Sequence, residues 1–210
     1  MLDIIKDQLK NFPIKPYCPK PESQGNTAAV MLILHGDPGD PLLVLTQRAA
    51  HLNNHAGEVA LPGGMWDAED TDLLTTALRE TEEEIGLSPS LVTPIAMLPS
   101  GSPKTREITV TPFVGLAEGP LKVTPEPSEI ASIFDFPIAL MTDTDNYQYV
   151  ELIRGSERFK MPYFPYRDYK IWGFTLNVLV DMLNQTLGTQ IQLRYPDREN
   201  IERLRQRGAL

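Results

Sequence analysis

The sequence predicts a mixed α/β (α+β) fold, an α/β sandwich rather than a strict βαβ array. Three observations predict it. Apolar runs of strand length stand both before and after one central amphipathic helix. A second apolar helical segment lies near the C-terminal end. Turn-rich pieces punctuate these runs without the internal repeat of a strict βαβ array. The chain of 210 residues fits one domain with extensions, and 41% hydrophobic residues suffice for a packed core.

In chain order, residues 1–11 read as a short amphipathic helix with Leu2, Ile5, Leu9 and Phe12 on one side. Pro13, Pro16, Pro19 and Pro21 then enforce an extended linker, so residues 1–26 form an N-terminal helix and linker. The main domain is expected over 27–185. TAAVMLILHG (27–36) and PLLVLTQRA (41–49) are strands of a hairpin around GDPGDP. HLNNHAGE (51–58) is polar and turn-rich, and EVALPGG (58–64) is a short strand ending in a glycine turn.

A helix is predicted over 71–86, with Leu74, Ala77, Leu78, Thr81 and Ile85 as its buried stripe and Gly86 as its stop. Strands at 91–98 and 107–117 flank PSGSPKTR. PEPSEI (125–130) begins a loop into the short apolar segment 133–141. YQYVELI (147–153) and RFKMPYF (158–164) flank RGSE as a second hairpin. WGFTLNVLVDMLNQ (172–185) is a helix with Phe174, Val178 and either Met182 or Leu183 on one side. Trp172, Phe174 and Leu176 are expected in the core. Residues 186–210 are a charged extension, open between helix and frayed tail.

The formal net charge of −9 argues against sequence-independent binding to nucleic acid, which relies on Lys and Arg. The single cysteine, Cys18, allows no intrachain disulfide and fits a reducing compartment. The opening MLDIIKDQLKNF spreads charges through its apolar residues, unlike a signal peptide. No stretch approaches the roughly 20 apolar residues of a spanning helix. The expectation is a cytoplasmic protein with no membrane partner.

Residues 63–87, GGMWDAEDTDLLTTALRETEEEIGL, carry the chemistry. Glu80, Glu83 and Glu84 stand at i, i+3 and i+4 and project from one side of the helix. Like charges at this spacing destabilise a helix by about 0.2–0.5 kcal/mol per pair. A cation removes that penalty, and hard oxygen ligands suit Mg²⁺ or Mn²⁺, which bind through a few carboxylates and substrate phosphates. The two metals are not separated by this pattern, since both accept carboxylate oxygens.

The second half of this segment, Arg79-Glu80-Thr81-Glu82-Glu83-Glu84-Ile85-Gly86-Leu87, resembles the signature of the Nudix hydrolase superfamily. Thr81 replaces a hydrophobic residue of the pattern. Gly64 stands one residue too far from Arg79, and Asp70 occupies the neighbourhood of the pattern's first glutamate. A longer, Asp-containing loop resembles the coenzyme A pyrophosphatase branch, as does VLTQRAAHLNNHAGEVALPGG at 44–64. There Asn53 replaces an arginine of the branch motif and Leu61 a phenylalanine. TPFVGL (111–116), PSEIASIFDFPIAL (127–140) and YKIWGFTLNVL (169–179) are similar to later segments of the branch, so the resemblance covers about residues 27–185.

The resemblance implies a Nudix-type α/β/α sandwich with a mixed central β-sheet that hydrolyses a nucleoside-diphosphate-linked substrate. Coenzyme A or a derivative leads, giving 3′,5′-ADP and 4′-phosphopantetheine. The alternatives are ADP-ribose, NADH or a dinucleotide, and, in another class, a sensor that binds a nucleotide without cleaving it. Mg²⁺ or Mn²⁺ is implied as cofactor, held by Glu80, Glu83, Glu84 and the Gly63 carbonyl, with glycine letting the backbone approach the ion. Arg79 is expected to brace a glutamate through a bidentate pair. Whether Glu83 or Glu84 also takes the water's proton stays open, and Glu129 is a possible additional base.

Arg48, His55 and Gly64 are implied at the substrate, with His55 equally suited to capping the turn before Gly57. Asp67 and Asp70 are divided between supporting the metal site and ordinary loop roles. Lys104 and Arg106 lie on a loop that reaches toward the nucleotide or is merely solvated, and Trp66 is a weak candidate for stacking on a base. A homodimer is implied by family analogy alone.

Overall fold

The computed structural model describes residues 1–103, 108–154 and 157–195; Lys104, Arg106 and the tail 196–210 lie outside them. Its elements in chain order are α1 (Leu2–Leu9), β1 (Thr27–Asp37), β2 (Asp40–Arg48), β3 (Val59–Ala60), β4 (Gly63–Met65), α2 (Leu73–Ile85), β5 (Val92–Met97) and β6 (Thr109–Ala117). They continue with β7 (Ile130–Pro137), β8 (Gln148–Arg154), β9 (Glu157–Tyr166), β10 (Tyr169–Trp172) and α3 (Gly173–Leu187). Among the described residues no helix is long and apolar enough to cross a membrane.

The main sheet follows the order β3-β2-β1-β6-β5, with β4 added to β1 and β7 to β2. β1 and β6 run parallel and the other pairings are antiparallel, so the sheet is mixed as expected. The second hairpin, β8 with β9, gains β10 as a third strand.

Alternation along β1 splits the core into two layers. Leu32 and Leu34 face one cluster with Ile5 and Leu9 of α1, Phe136 of β7, and Leu176, Leu179 and Leu183 of α3. Ala29, Met31 and Ile33 face the other with Leu73, Ala77 and Ile85 of α2. Helices thus cover both faces, which is the predicted sandwich. Ile5 and Leu9 are 0% and 1% exposed. Burial of each such side chain is worth about 1.5–3 kcal/mol, so α1 is stitched into the same core as α3.

Several expectations change in detail. The segment 58–64 is two strands, because Pro62 interrupts it; its carbonyl accepts Met31 N–H at 2.8 Å while the flanking pieces pair with β2 and β1. The apolar segment placed at 133–141 is the later part of β7 followed by a 3-10 turn at Ile138–Thr142. β10 was not expected; Arg167, at φ 51°, makes the tight turn that leads into it.

The stripe of α2 is centred on Leu73, Thr76, Ala77, Thr81, Glu84 and Ile85, leaving Leu74 and Leu78 half-buried. α3 is buried on most of its circumference, including Leu176, Val178, Met182 and Leu183, whereas Trp172 and Phe174 are only half-buried.

Candidate active site

The site lies where β2 leaves β1. The two strands pair through Leu34–Asp37 of β1, while Ala28–Val30 of β1 are taken by β4. β2 instead carries β3 at Thr46 and Gln47 and shifts register against β7 between Gln47 and Arg48. Over this divergence lies α2, started by the Asp72 side chain accepting Thr75 N–H at 2.8 Å and stopped by Gly86 at φ 67°.

Glu84 points inward from α2, its side chain 5% exposed. One carboxylate oxygen accepts the Gly63 N–H at 3.1 Å and the other stands 3.6 Å from Arg48 Nη1. Burial pushes its pKa up to about 7, against the Gly63 amide and the Arg48 charge, which favour the ionised form. Glu80 is also held above the usual carboxylate range, chiefly by burial and despite Arg79. Glu83, one turn on and 58% exposed, is the solvent-facing member. The negative charge of Glu129 opposes ionisation of both Glu80 and Glu84, so the β7 side brings a fourth carboxylate to the cluster.

Arg79 organises this cluster, but its bidentate partner is not a glutamate as expected. Its Nε and Nη2 each donate to Asp70 at 2.9 Å, and Nη1 donates to Glu80 at 2.8 Å and Glu83 at 3.0 Å. Asp70 is 5% exposed and further accepts Thr76 Oγ1 at 2.8 Å and Asp67 N–H at 3.2 Å. The Arg79 guanidinium, the Thr76 hydroxyl and the Asp67 amide hold its carboxyl below the usual range, against burial. The longer loop folds Asp70 back over the first turns of α2, where a fork-shaped donor fits a carboxylate better than either helix neighbour does.

The two glycines are each confined by close neighbours. Gly63 has φ 144°, and a Cβ there would meet the Ala29 carbonyl and Val30 Cα of β1, so strand packing by itself requires glycine. A Cβ on Gly64 would overlap the Glu80 carboxylate. Gly64→Ala is therefore expected to displace Glu80 and weaken divalent-ion binding at least about tenfold with a smaller loss of stability. Calorimetric titration with Mn²⁺ and a thermal melt check this; unchanged affinity would refute the cradle.

Other expected residues separate. Arg48 reaches the cluster through Glu84. His55, at φ 56°, pairs its side chain with that of Glu58 at 2.8 Å within its own loop. Trp66 is 3% exposed with its indole N–H toward the Asp70 carbonyl at 3.4 Å, so it packs the core and offers no exposed face to a base. Asp67 is an exposed loop residue whose side chain accepts Glu69 N–H at 2.9 Å. The contacts of Thr76 to Asp70 and of Arg48 to Glu84 were not foreseen. Among the described residues no three His, Cys, Asp or Glu side chains already stand as a closed metal cage. Arg79 Nη1 bridges Glu80 and Glu83 instead.

A mixed sheet carrying an acidic helix over a Gly-Gly turn defines the class, and comparison with known proteins gives the family. The NUDIX domain model matches residues 25–153, more than half of the chain. The chain belongs to the Nudix hydrolase family.

It is 39% identical to Nudix hydrolase 15, mitochondrial, of Arabidopsis thaliana over 73% of this chain and 56% of that protein. It is 34% identical to an uncharacterized Nudix hydrolase NudL of Photorhabdus laumondii over 86% of this chain and 97% of that one. The chain thus spans little more than half of the plant relative and nearly all of the bacterial one. Among solved structures, a Nudix hydrolase from M. smegmatis, RenU, aligns with a TM-score of 0.47 at 24% identity, covering 56% of this chain and 74% of that one.

Proposed function

We propose that the protein hydrolyses the pyrophosphate bond of coenzyme A or a derivative, using Mg²⁺ or Mn²⁺. Glu84 carries the metal-dependent part of this reading: a carboxylate 5% exposed, beside the half-buried carboxylate of Glu80, is unfavourable until a cation joins it. The donor set fits such an ion, since Glu80, Glu83 and Glu84 offer hard oxygens on one helix face and Gly64 leaves room for Glu80. The Gly63 carbonyl is the proposed backbone ligand. A divalent ion supplies Lewis-acid charge that neutralises the oxygens of the diphosphate.

The protein's own groups do the rest. The Gly63 N–H and Arg48 hold Glu84 in place, and Asp70 holds Arg79. Arg48, 25% exposed on its side chain, remains open to a phosphate oxygen once an ion takes over Glu84. Glu129, exposed and close enough to act on Glu80 and Glu84, is the proposed acceptor of the attacking water's proton. Glu80, Glu83 and Glu84 are assigned to the ion, which leaves Glu129 free for that step.

ADP-ribose, NADH or a dinucleotide is the second reading, favoured by Asn53, exposed in the loop between β2 and β3 where the coenzyme A branch has a cation. Incubation with Mg²⁺ or Mn²⁺ and a panel of coenzyme A, ADP-ribose, NADH and dinucleoside polyphosphates separates the readings. Release of 3′,5′-ADP and 4′-phosphopantetheine, followed by mass, is expected in excess of any other product. Preferred cleavage of ADP-ribose overturns the coenzyme A reading, and tight binding without turnover of any substrate favours a sensor.

A further inference from the structure

We infer that Glu126 is a positioning residue that fixes Glu129 relative to the carboxylates of α2, an inference that rests on the proposed role of Glu129 as base. The segment between β6 and β7 crosses the C-terminal end of α2, where helix carbonyls lack internal donors. Thr124 N–H donates to the Ile85 carbonyl at 2.8 Å and Glu126 N–H to the Glu84 carbonyl at 2.9 Å. Glu126 therefore grips the backbone of the very residue whose side chain enters the acidic cluster.

Its carbonyl then accepts Glu129 N–H at 3.0 Å and Ile130 N–H at 2.8 Å. Two successive backbone bonds, both made by Glu126, join Glu84 to Glu129. The Glu126 side chain locks the turn between them: Oε1 accepts Ser128 N–H at 3.2 Å and Ser128 Oγ at 2.9 Å. On the far side Ala49 N–H donates to the Glu129 carbonyl at 2.7 Å, just past the shift in β2 register. The Glu129 backbone is thus held from both directions while its side chain is exposed.

Proline at 125 and 127 stiffens the approach on either side of Glu126. An exposed glutamate is ordinarily dispensable. Here its loss frees two donors at Ser128 and lets the turn relax, which moves a carboxylate whose value to the reaction depends on sub-ångström placement.

The test compares Glu126→Ala, Glu126→Gln, Glu129→Ala and the double alanine variant. It uses the full chain with Mg²⁺ and whichever of coenzyme A or ADP-ribose the wild type turns over faster. Glu129→Ala is expected to lower kcat about hundredfold, the scale of general base loss. Glu126→Ala is expected to lower kcat about tenfold with KM unchanged, and Glu126→Gln, which keeps an acceptor oxygen, to restore most of it. The double variant is expected to match Glu129→Ala alone, because a misplaced base and a missing base do not add. Amide exchange at Ser128 is expected to quicken in Glu126→Ala and not in Glu126→Gln.

A silent Glu129→Ala overturns the base assignment and the inference with it. A damaging Glu129→Ala with a normal Glu126→Ala overturns the inference alone. Additive losses in the double variant, or a glutamine variant as poor as the alanine one, also overturn it.

Discussion

Glu84→Gln lowers turnover by at least about two orders of magnitude and, in ion-free protein at pH 8, leaves the fold as stable as the wild type or more so. The two halves of this expectation have one cause. Glutamine keeps the size of the side chain and an oxygen for the Gly63 N–H, but it brings no charge into a site that is 5% exposed.

The sign follows from linkage. Burial raises the Glu84 pKa from 4.5 to about 7. Between those values the folded state holds a proton that the unfolded state has released, so wild-type stability falls as pH rises through that window. The full shift corresponds to roughly 3 kcal/mol, reached above pH 7 and absent below pH 4.5. Glu84→Gln abolishes this slope.

A divalent ion is expected to reverse it, since an ion that binds only the folded, ionised site stabilises that state increasingly as its concentration exceeds its dissociation constant. Melts at pH 5, 6, 7 and 8, with and without Mg²⁺ or Mn²⁺, read the effect directly. Wild-type protein is expected to gain most from the ion at pH 8, and the glutamine variant to gain little at any pH. Equal stabilisation of the two proteins, or near-normal turnover by Glu84→Gln and Glu83→Gln, shows the ion to be held elsewhere.

The helix at 71–86 was legible because its signals are local: a 3.6-residue apolar period, a stopping glycine and carboxylates on one arc. The same locality limited what could be read from it. Three glutamates were placed on one side of α2, yet the structure makes Glu84 a wall of the core, Glu80 its half-covered neighbour and Glu83 the exposed one. That division depends on β4 lying against β1, a pairing set by the parting of β2 from β1 and invisible in the spacing of glutamates.

Gly63 and Gly64 were recognisable as special, but their reasons are tertiary: one faces the backbone of β1 and the other a side chain of α2. Glu126 gave no signal, because what gives its local turn a role is one backbone bond to Glu84, far away in sequence. β10 was missed because Tyr169–Trp172 is too short to show a period, and its last residue, Trp172, was taken as the start of the following helix.

Asp70→Ala is expected to cost about 2–4 kcal/mol of stability, to lower kcat by about 10–100-fold and to raise the apparent dissociation constant for Mg²⁺. Asp70 is the larger part of what holds Arg79: two charge-assisted bonds at 2.9 Å against one each to Glu80 and Glu83. Without it the guanidinium is free to settle on Glu80 and Glu83, where it competes with the ion for the same oxygens. Asp70→Asn, which keeps an acceptor but no charge, should fall between the two, and Mg²⁺ titrations of all three proteins supply the check. An alanine variant that loses stability while binding Mg²⁺ normally would confine Asp70 to folding.

The pH dependence runs opposite to that of Glu84. The folded-state pKa of Asp70 lies below 3.8, so its contribution is complete above the ordinary carboxylate range and is lost as pH falls through the folded value. Wild-type and Asp70→Ala melts should differ by a constant amount near neutrality and converge only in strong acid. Two buried carboxylates in one site thus titrate in opposite directions for one reason. Asp70 already has its cation in Arg79, whereas Glu84, with Arg48 at 3.6 Å as its nearest positive charge, does not.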